Sequence, residues 1–256
     1  MTEPRVTTEL DDRGVFTITL ADPDNRNALS RQLGQELVDA LTEARDRAEI
    51  RVVVLTNEGR VFCAGADLSE RSSAADPNEP AAVDPIDIFG GIRDLPKPVV
   101  GRIAGHAVAG GMGLAASCDL SVAVHDAKFG FTEVRVGVAP AIISVICLPK
   151  MGHADAADAF LRGNRFPAEE AVRLGLINEA VAAEQLDAAV EAIVADLLLG
   201  GPGALAATKS LLQQVPARSF ADGLAWTAAL SAELFETDEA QEGMRSFLEK
   251  RPPNWA

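Results

Sequence analysis

The sequence predicts an α/β core that gives way to a tail made only of helices. Three patterns carry this expectation. Buried-strand runs alternate with helical periods up to about Glu184, four helical stretches with no strand between them follow, and an apolar strand-to-helix junction lies in the middle, at Gly105–Asp119. A chain of 256 residues, 48% apolar and 24% charged, has the composition of a folded globular enzyme.

The elements follow in order. Val6–Glu9 and Val15–Leu20 alternate in character around Asp11-Asp12-Arg13-Gly14 and read as an opening hairpin. After the turn-rich Asp22–Asn27, Ser30 is placed to cap a helix to about Ala48, with Leu33, Leu37, Leu41 and Ala44 on one face. Arg51–Thr56 is β-branched with no polar interruption, as in a strand covered on both faces, and completes a strand-helix-strand crossover. Asn57–Glu70 leaves it through a glycine-containing loop. Arg71–Asp84, rich in Ser, Ala, Pro and Asp, reads either as a mobile surface loop beside whatever the preceding loop binds or as a spacer.

Pro96-Lys97-Pro98 precedes a strand at Val99–Ala104, and a helix packed on all sides is expected at Gly111–Cys118. Leu120–Val124 repeats the buried-strand pattern, Lys128–Glu133 reads as a short polar interlude, and a buried helix is expected after Pro140. Pro167–Leu174 is a helix opened by proline and closed by Gly175, with a short strand near Val181. The tail helices are Glu184–Leu199, Gly203–Gln214, Phe220–Phe235 and Asp238–Lys250. A tail of this kind packs on the core or on another subunit.

Charge and cysteine usage narrow the function. A net charge of −15 with no basic run argues against nucleic acid as a partner. Cys63, Cys118 and Cys147 are odd in number and far apart, as are His106, His125 and His153, so neither a disulfide framework nor a metal centre is expected. Buried thiols fit a reducing, cytoplasmic setting. With a polar, acidic amino end and no long apolar run, neither a signal peptide nor a membrane span is expected.

Two backbone segments are suited to chemistry. Gly110-Gly111 lies where a buried strand turns into a buried helix, so the first helical amides point outward and can hold an oxyanion. Ala64-Gly65-Ala66 has side chains too small to keep a ligand off the backbone. The plainer reading of the glycine pair is a tight turn, since the chain contains three Gly-Gly pairs. A serine-hydrolase triad of Ser117, His106 and Asp119 is a poor alternative, because no motif presents the serine as a nucleophile.

Cys63-Ala-Gly-Ala-Asp67, Ala109-Gly-Gly-Met-Gly-Leu114 and Phe129-Gly-Phe-Thr-Glu-Val134, with Asn25-Arg-Asn-Ala-Leu29 before them and Phe247-Leu-Glu-Lys-Arg251 after, resemble the crotonase superfamily of enoyl-CoA hydratases and isomerases. The resemblance implies a crotonase-like spiral of ββα units at residues 1–195 and a C-terminal helical oligomerisation region at 196–256, assembling homotrimers or hexamers. It implies an acyl-CoA thioester as substrate, coenzyme A as part of that substrate rather than a cofactor, and no membrane partner. The amides of Ala66 and Gly110 would form an oxyanion hole and Glu133 would be the catalytic carboxylate. Ala64, Ala66, Asp67, Leu68, Gly110 and Gly113 would line the substrate path, with Arg26, or Lys250 of a neighbouring subunit, near the CoA phosphates.

Two departures bear on the reaction. Gly113 stands where two-carboxylate hydratases carry their other glutamate, and Pro140-Ala-Ile-Ile-Ser144 replaces a glycine-rich turn, which is closer to bacterial methylglutaconyl-CoA hydratase-like members. The implied activity is an enoyl-CoA hydratase using one glutamate. A Δ3,Δ2-enoyl-CoA isomerase and a non-catalytic CoA-ester-binding subunit are the alternatives.

Overall fold

The computed structural model describes residues 3–72 and 83–255. Ten strands are present: β1 (Val6–Leu10), β2 (Val15–Leu20), β3 (Val52–Asn57), β4 (Val61–Cys63), β5 (Val99–Ile103), β6 (His106–Val108), β7 (Leu120–Val124), β8 (Lys128–Gly130), β9 (Phe166–Pro167) and β10 (Glu179–Val181). The helices of the core are α1 (Arg31–Asp46), α2 (Leu68–Ser72), α3 (Pro85–Asp94), α4 (Gly110–Ser117), α5 (Ala141–Cys147), α6 (His153–Arg162) and α7 (Ala168–Arg173). The tail contains α8 (Leu186–Leu199), α9 (Pro202–Gln214), α10 (Phe220–Phe235) and α11 (Asp238–Glu249).

The strands form two sheets. A six-stranded sheet has the order β1-β2-β3-β5-β7-β10 and a four-stranded sheet the order β4-β6-β8-β9. Among the described residues only β1 with β2 and β8 with β9 pair antiparallel. Three times the chain runs a longer strand through the first sheet and a short one through the second: β3 then β4, β5 then β6, β7 then β8. Each step is followed by helix, which is the spiral of ββα units that the motifs imply.

Sequence chemistry accounts for the core elements. All six residues of β3 are buried, as expected for a central parallel strand with both faces covered. The Ser30 side chain accepts from Leu33 N and caps α1, whose Leu33, Leu37, Leu41 and Ala44 are buried. Helix α4 is buried from Gly111 to Ala116 and packs on β4 and β6 of the four-stranded sheet and on α3 and α5.

Several expectations need correction. Residues 128–133 are not a polar interlude: Lys128–Gly130 is strand β8, and Phe129 and Phe131 are fully buried. Helix α5 is only partly buried, with Ile143 and Cys147 inward and Ile142 and Val145 exposed. The division at residue 195 falls inside α8, which packs on β5 and β7. Of the predicted loop at 71–84, residues 73–82 lie outside the described residues. Strands β4 and β6 and helices α3 and α6 escaped the pattern reading, although Asp84-Pro85 is a helix-start signal: Asp84 Oδ1 accepts from Ile86 N. Among the described residues no single helix is long and apolar enough to cross a membrane.

The packing of α4 yields a contrast between two glycines. A Cβ on Gly111 would overlap the Cys63 backbone carbonyl, whereas one on Gly90 in α3 meets only Ile86 Cγ2 at 3.9 Å. Chemical denaturation is expected to show Gly111→Ala costing about 3 kcal/mol, a backbone clash that no rotamer relieves. Gly90→Ala should instead gain up to ~1 kcal/mol from helix propensity.

Candidate active site

Two backbone turns meet at the floor of a cavity of about 510 Å³. The first follows β4, where Gly65 takes φ +87°, a conformation that glycine reaches without penalty. The second follows β6, where Ala109 takes φ 52°, ψ −128° before Gly110 opens α4. A Cβ on Gly65 would lie 2.9 Å from both Ala109 Cβ and Gly110 N, so the turns touch. Leu29 fixes the first turn from outside, donating from its amide to Gly65 O at 2.7 Å and pairing with Ala66 in a parallel bridge.

The consequence is two amides without work inside the fold. Among the described residues neither Ala66 N nor Gly110 N has a protein acceptor, and both residues line the cavity. A Cβ built on Gly110 would be 3.7 Å from Ala66 N, which shows how closely the two donors converge. Ala66 is exposed and Gly110 half-buried, so both N–H groups are open to the cavity, and two donors this close together can bind a single oxygen.

Glu133 faces the same cavity from a short 3-10 turn, Thr132–Val136, that follows β8. Its backbone is anchored by Phe131, whose ring stacks on Phe160 at 3.9 Å, and by Val138 N donating to Glu133 O. The side chain is half-buried, and its Oε2 is shielded with no partner among the described residues. Burial pushes its carboxyl up from the ordinary glutamate value, and one backbone hydrogen bond offsets part of that. A carboxylate so placed can accept and return a proton near neutral pH.

The remaining residues singled out in the sequence divide into groups. Ala64 and Leu68 line the cavity, Leu68 at its exposed mouth. Asp67 lines it too, but its carboxylate is occupied: Oδ1 accepts from Ser69 N, Ser69 Oγ and Glu70 N, and Oδ2 accepts from Asn25 Nδ2. Burial raises the Asp67 carboxyl, yet these bonds outweigh it and hold the group below the usual aspartate range. Asp67 therefore fixes the Ala66 turn.

Gly113 is not at the cavity surface. A Cβ there would overlap Ile143 Cγ2 and lie 3.3 Å from Phe89 Cε1, so those two side chains fill the volume a larger residue would need. Arg26 and Lys250 are exposed and are not among the described lining residues; the Arg26 carbonyl accepts from Ala64 N, and Lys250 ends α11 at φ 55°. The lining cation is Arg31, which sequence reading missed, together with the α3 wall of Ile88 and Phe89.

The triad alternative fails on geometry. Ser117 Oγ donates to Gly113 O, His106 Nδ1 accepts from Lys128 N, and Asp119 pairs with Lys209, so each has a separate partner. The three thiols are buried, and burial pushes each of them up to about 12, leaving none activated as a nucleophile. Among the described residues no cluster of His, Cys, Asp or Glu could hold a metal ion.

Comparison with known proteins agrees with this arrangement. The family model for enoyl-CoA hydratase/isomerase matches residues 11–256. The chain belongs to that family. A Thermus thermophilus relative, whose name gives enoyl-CoA hydratase as a provisional description, is 37% identical over 94% of this chain and 97% of its own. The crystal structure of an enoyl-CoA hydratase from Mycobacterium smegmatis superposes with TM-score 0.90 at 33% identity, covering 99% of each chain. One from Bacillus anthracis gives TM-score 0.90 at 30% identity, covering 98% of each. The crotonase fold implied by the motifs is thus shown.

The isolation of Glu133 sets up a pH test. Its folded-state pKa lies above the ordinary 4.5, so the stability that its neutral form confers is present below 4.5 and is lost as pH rises through the raised value. Glu133→Gln should therefore melt above the wild type near neutral pH, with the difference closing on acidification. Its turnover of an enoyl thioester should fall about 10²- to 10⁴-fold. Equal melting curves at neutral pH would show that the carboxylate carries no desolvation cost.

Proposed function

We propose that the protein is an enoyl-CoA hydratase in which one carboxylate, Glu133, handles both proton transfers. The observation that carries this reading is the meeting, in one cavity, of two amides and a carboxylate oxygen that have no partner among the described residues. The names of its relatives supply the substrate class.

The steps balance with these groups alone. The thioester carbonyl oxygen of a 2-enoyl-CoA accepts from Ala66 N and Gly110 N. Glu133 takes a proton from water as the hydroxyl adds to C3, and the electron pair of the double bond moves onto the thioester as an enolate. The two amides stabilise that oxyanion, each typically worth 10²- to 10³-fold in rate. Glu133 then returns the proton to C2, and the product is the 3-hydroxyacyl-CoA.

The walls argue for an uncharged acyl group. The lining includes the buried Ile88, Phe89, Pro140 and Ile143 and the exposed Val136 and Ile142, while its described carboxylates are Asp67, Glu70 and Glu133. Arg31 is the one cation among the described lining residues, and its amide bonds Glu70 Oε2 at 3.0 Å. Among the described lining residues an acyl carboxylate of the methylglutaconyl kind would find no cation besides Arg31, which we assign to the CoA phosphates.

Gly113 favours a second reading. With Ile143 and Phe89 against it, no second carboxylate reaches the reacting carbons from α4, and a single base is all that moving a proton between C2 and C4 requires. Incubation with 2-enoyl- and 3-enoyl-CoA, followed by absorbance of the conjugated thioester and product mass, decides between the two. A gain of one water is expected; migration of the double bond at constant mass would replace hydration with isomerisation, and neither product from aliphatic esters would leave only a binding role.

We also propose assembly as a trimer or hexamer through the tail. Phe220, Leu224, Phe235, Phe247 and Leu248 are exposed on α10 and α11, an apolar area that a lone chain would leave wet. Light scattering should give three or six chains per particle, and replacing Phe247 and Leu248 with serine should lower that number. A monomeric wild type would refute it.

A further inference from the structure

Away from the cavity, the buried Lys209 ammonium joins the tail to the end of α3 and to Asp119 just after α4, two of the helices that contribute to the site. Lys209 on α9 is only 6% exposed. Its Nζ donates to Ile92 O at 2.9 Å and to Lys97 O at 3.1 Å, and pairs with Asp119 Oδ2 at 2.7 Å. Three donors meet three acceptors, which is the full capacity of an ammonium. A buried lysine is costly to desolvate, and removing one partner strands the other, so a site of this kind is rigid in a way a surface ion pair is not.

The acceptors belong to the ends of two functional elements. Ile92 lies in the last turn of α3, where carbonyls lack intrahelical partners and a positive charge is favourable. One turn earlier the same helix presents Ile88 and Phe89 to the cavity, and Phe89 Cε1 lies 3.3 Å from where a Gly113 Cβ would be. Asp119 follows α4, whose first residue supplies the Gly110 amide, and its Oδ2 also accepts from Val99 N at the start of β5. Gln213, one turn beyond Lys209 on α9, adds a bond from its Nε2 to Arg93 O at the same end of α3.

We propose that Lys209, aided by Gln213, is a positioning residue that sets the acyl wall of the site. By clamping the carboxyl end of α3 against the end of α4, it holds Phe89 and Ile88 at the spacing an acyl chain requires, while the turns that face the CoA thioester are fixed separately by Leu29 and Asp67. The proposal rests on the acyl-CoA reading above. It gives the tail a role in substrate choice in addition to packing.

The test measures binding of saturated thioesters, which do not turn over, by calorimetry on the full-length protein. Wild type is expected to prefer hexanoyl-CoA to acetyl-CoA. Lys209→Met combined with Asp119→Asn, which removes the ammonium without stranding a carboxylate, should reduce that preference about tenfold, the scale of a wall displaced by a fraction of an ångström, while affinity for free CoA stays within about twofold. Gln213→Ala, at a half-buried position, should cause a smaller loss in the same direction and serves as the readable variant if the Lys209 pair does not fold. In a Phe89→Ala background neither change should lower the preference further. Unchanged preference in a folded Lys209 pair, or in Gln213→Ala if that pair fails to fold, overturns the proposal; additive losses with Phe89→Ala overturn it as well. A wild type with no preference for the longer ester would instead sink the acyl-CoA reading on which it stands.

Discussion

The contact between the Gly65 turn and the Ala109-Gly110 turn is the constraint on which the site depends. Two amides can share one oxygen only if their backbones approach to van der Waals distance, and here a Cβ on Gly65 would be 2.9 Å from Gly110 N. The two-sheet spiral provides that approach, because β4 and β6 are parallel neighbours whose following turns leave the same end of the small sheet. Ala109 bears part of the cost. It holds φ 52°, ψ −128°, a region that side chains avoid, and it is retained by its amide bonding Gly130 O at 2.9 Å in β8, the strand that leads to Glu133. The two cavity-facing amides and Glu133 are thus tied through one strained residue.

The second constraint is dryness. Glu133 raises its own proton affinity by sitting with one oxygen shielded among apolar side chains, and its pKa direction comes from burial rather than from a neighbouring charge. Ile143 extends the apolar wall over the face of α4 where Gly113 lies, so the environment is asymmetric, with donors on one side and hydrocarbon on the other. An oxyanion placed between them would meet the amide dipoles on one side and hydrocarbon on the other. The three buried thiols are bystanders to this chemistry, being small apolar fillers.

How much of this was legible in the sequence depended on range. The hairpin, α1 with its Ser30 cap, the central strands and the four tail helices follow from local period and capping chemistry, and they stand close to where those signals put them. The polar look of residues 128–133 misled because Lys128, Thr132 and Glu133 surround two phenylalanines that are buried by distant partners, Phe160 and Phe166. Strands β4 and β6 have three residues each, too few to show a period. Of the site, the two glycine-marked turns and Glu133 were visible as motifs, whereas Ile143 opposite Gly113, Arg31 at the mouth and the α3 wall arise only when separate segments meet. Asn25 shows the intermediate case: the residue was noticed within a motif, but its work, holding Asp67, needed coordinates.

The tail is where fold and function are hardest to separate. Pattern alone sets it apart as helices without strands, yet Arg51 in the core donates to Gly200 O, Leu198 O and Trp255 O, and Lys209 reaches back to the ends of α3 and α4. A region bound to the core by buried charge cannot shift without moving what it touches, because close-packed interiors transmit displacement rather than absorb it. Helix α9 also exposes Leu212, and Val215 just past its end is exposed too, apolar residues of the sort that a partner surface would cover. The same helix therefore has one face set against the acyl wall and another suited to assembly, and whatever covers the outer face bears on the spacing of the inner one.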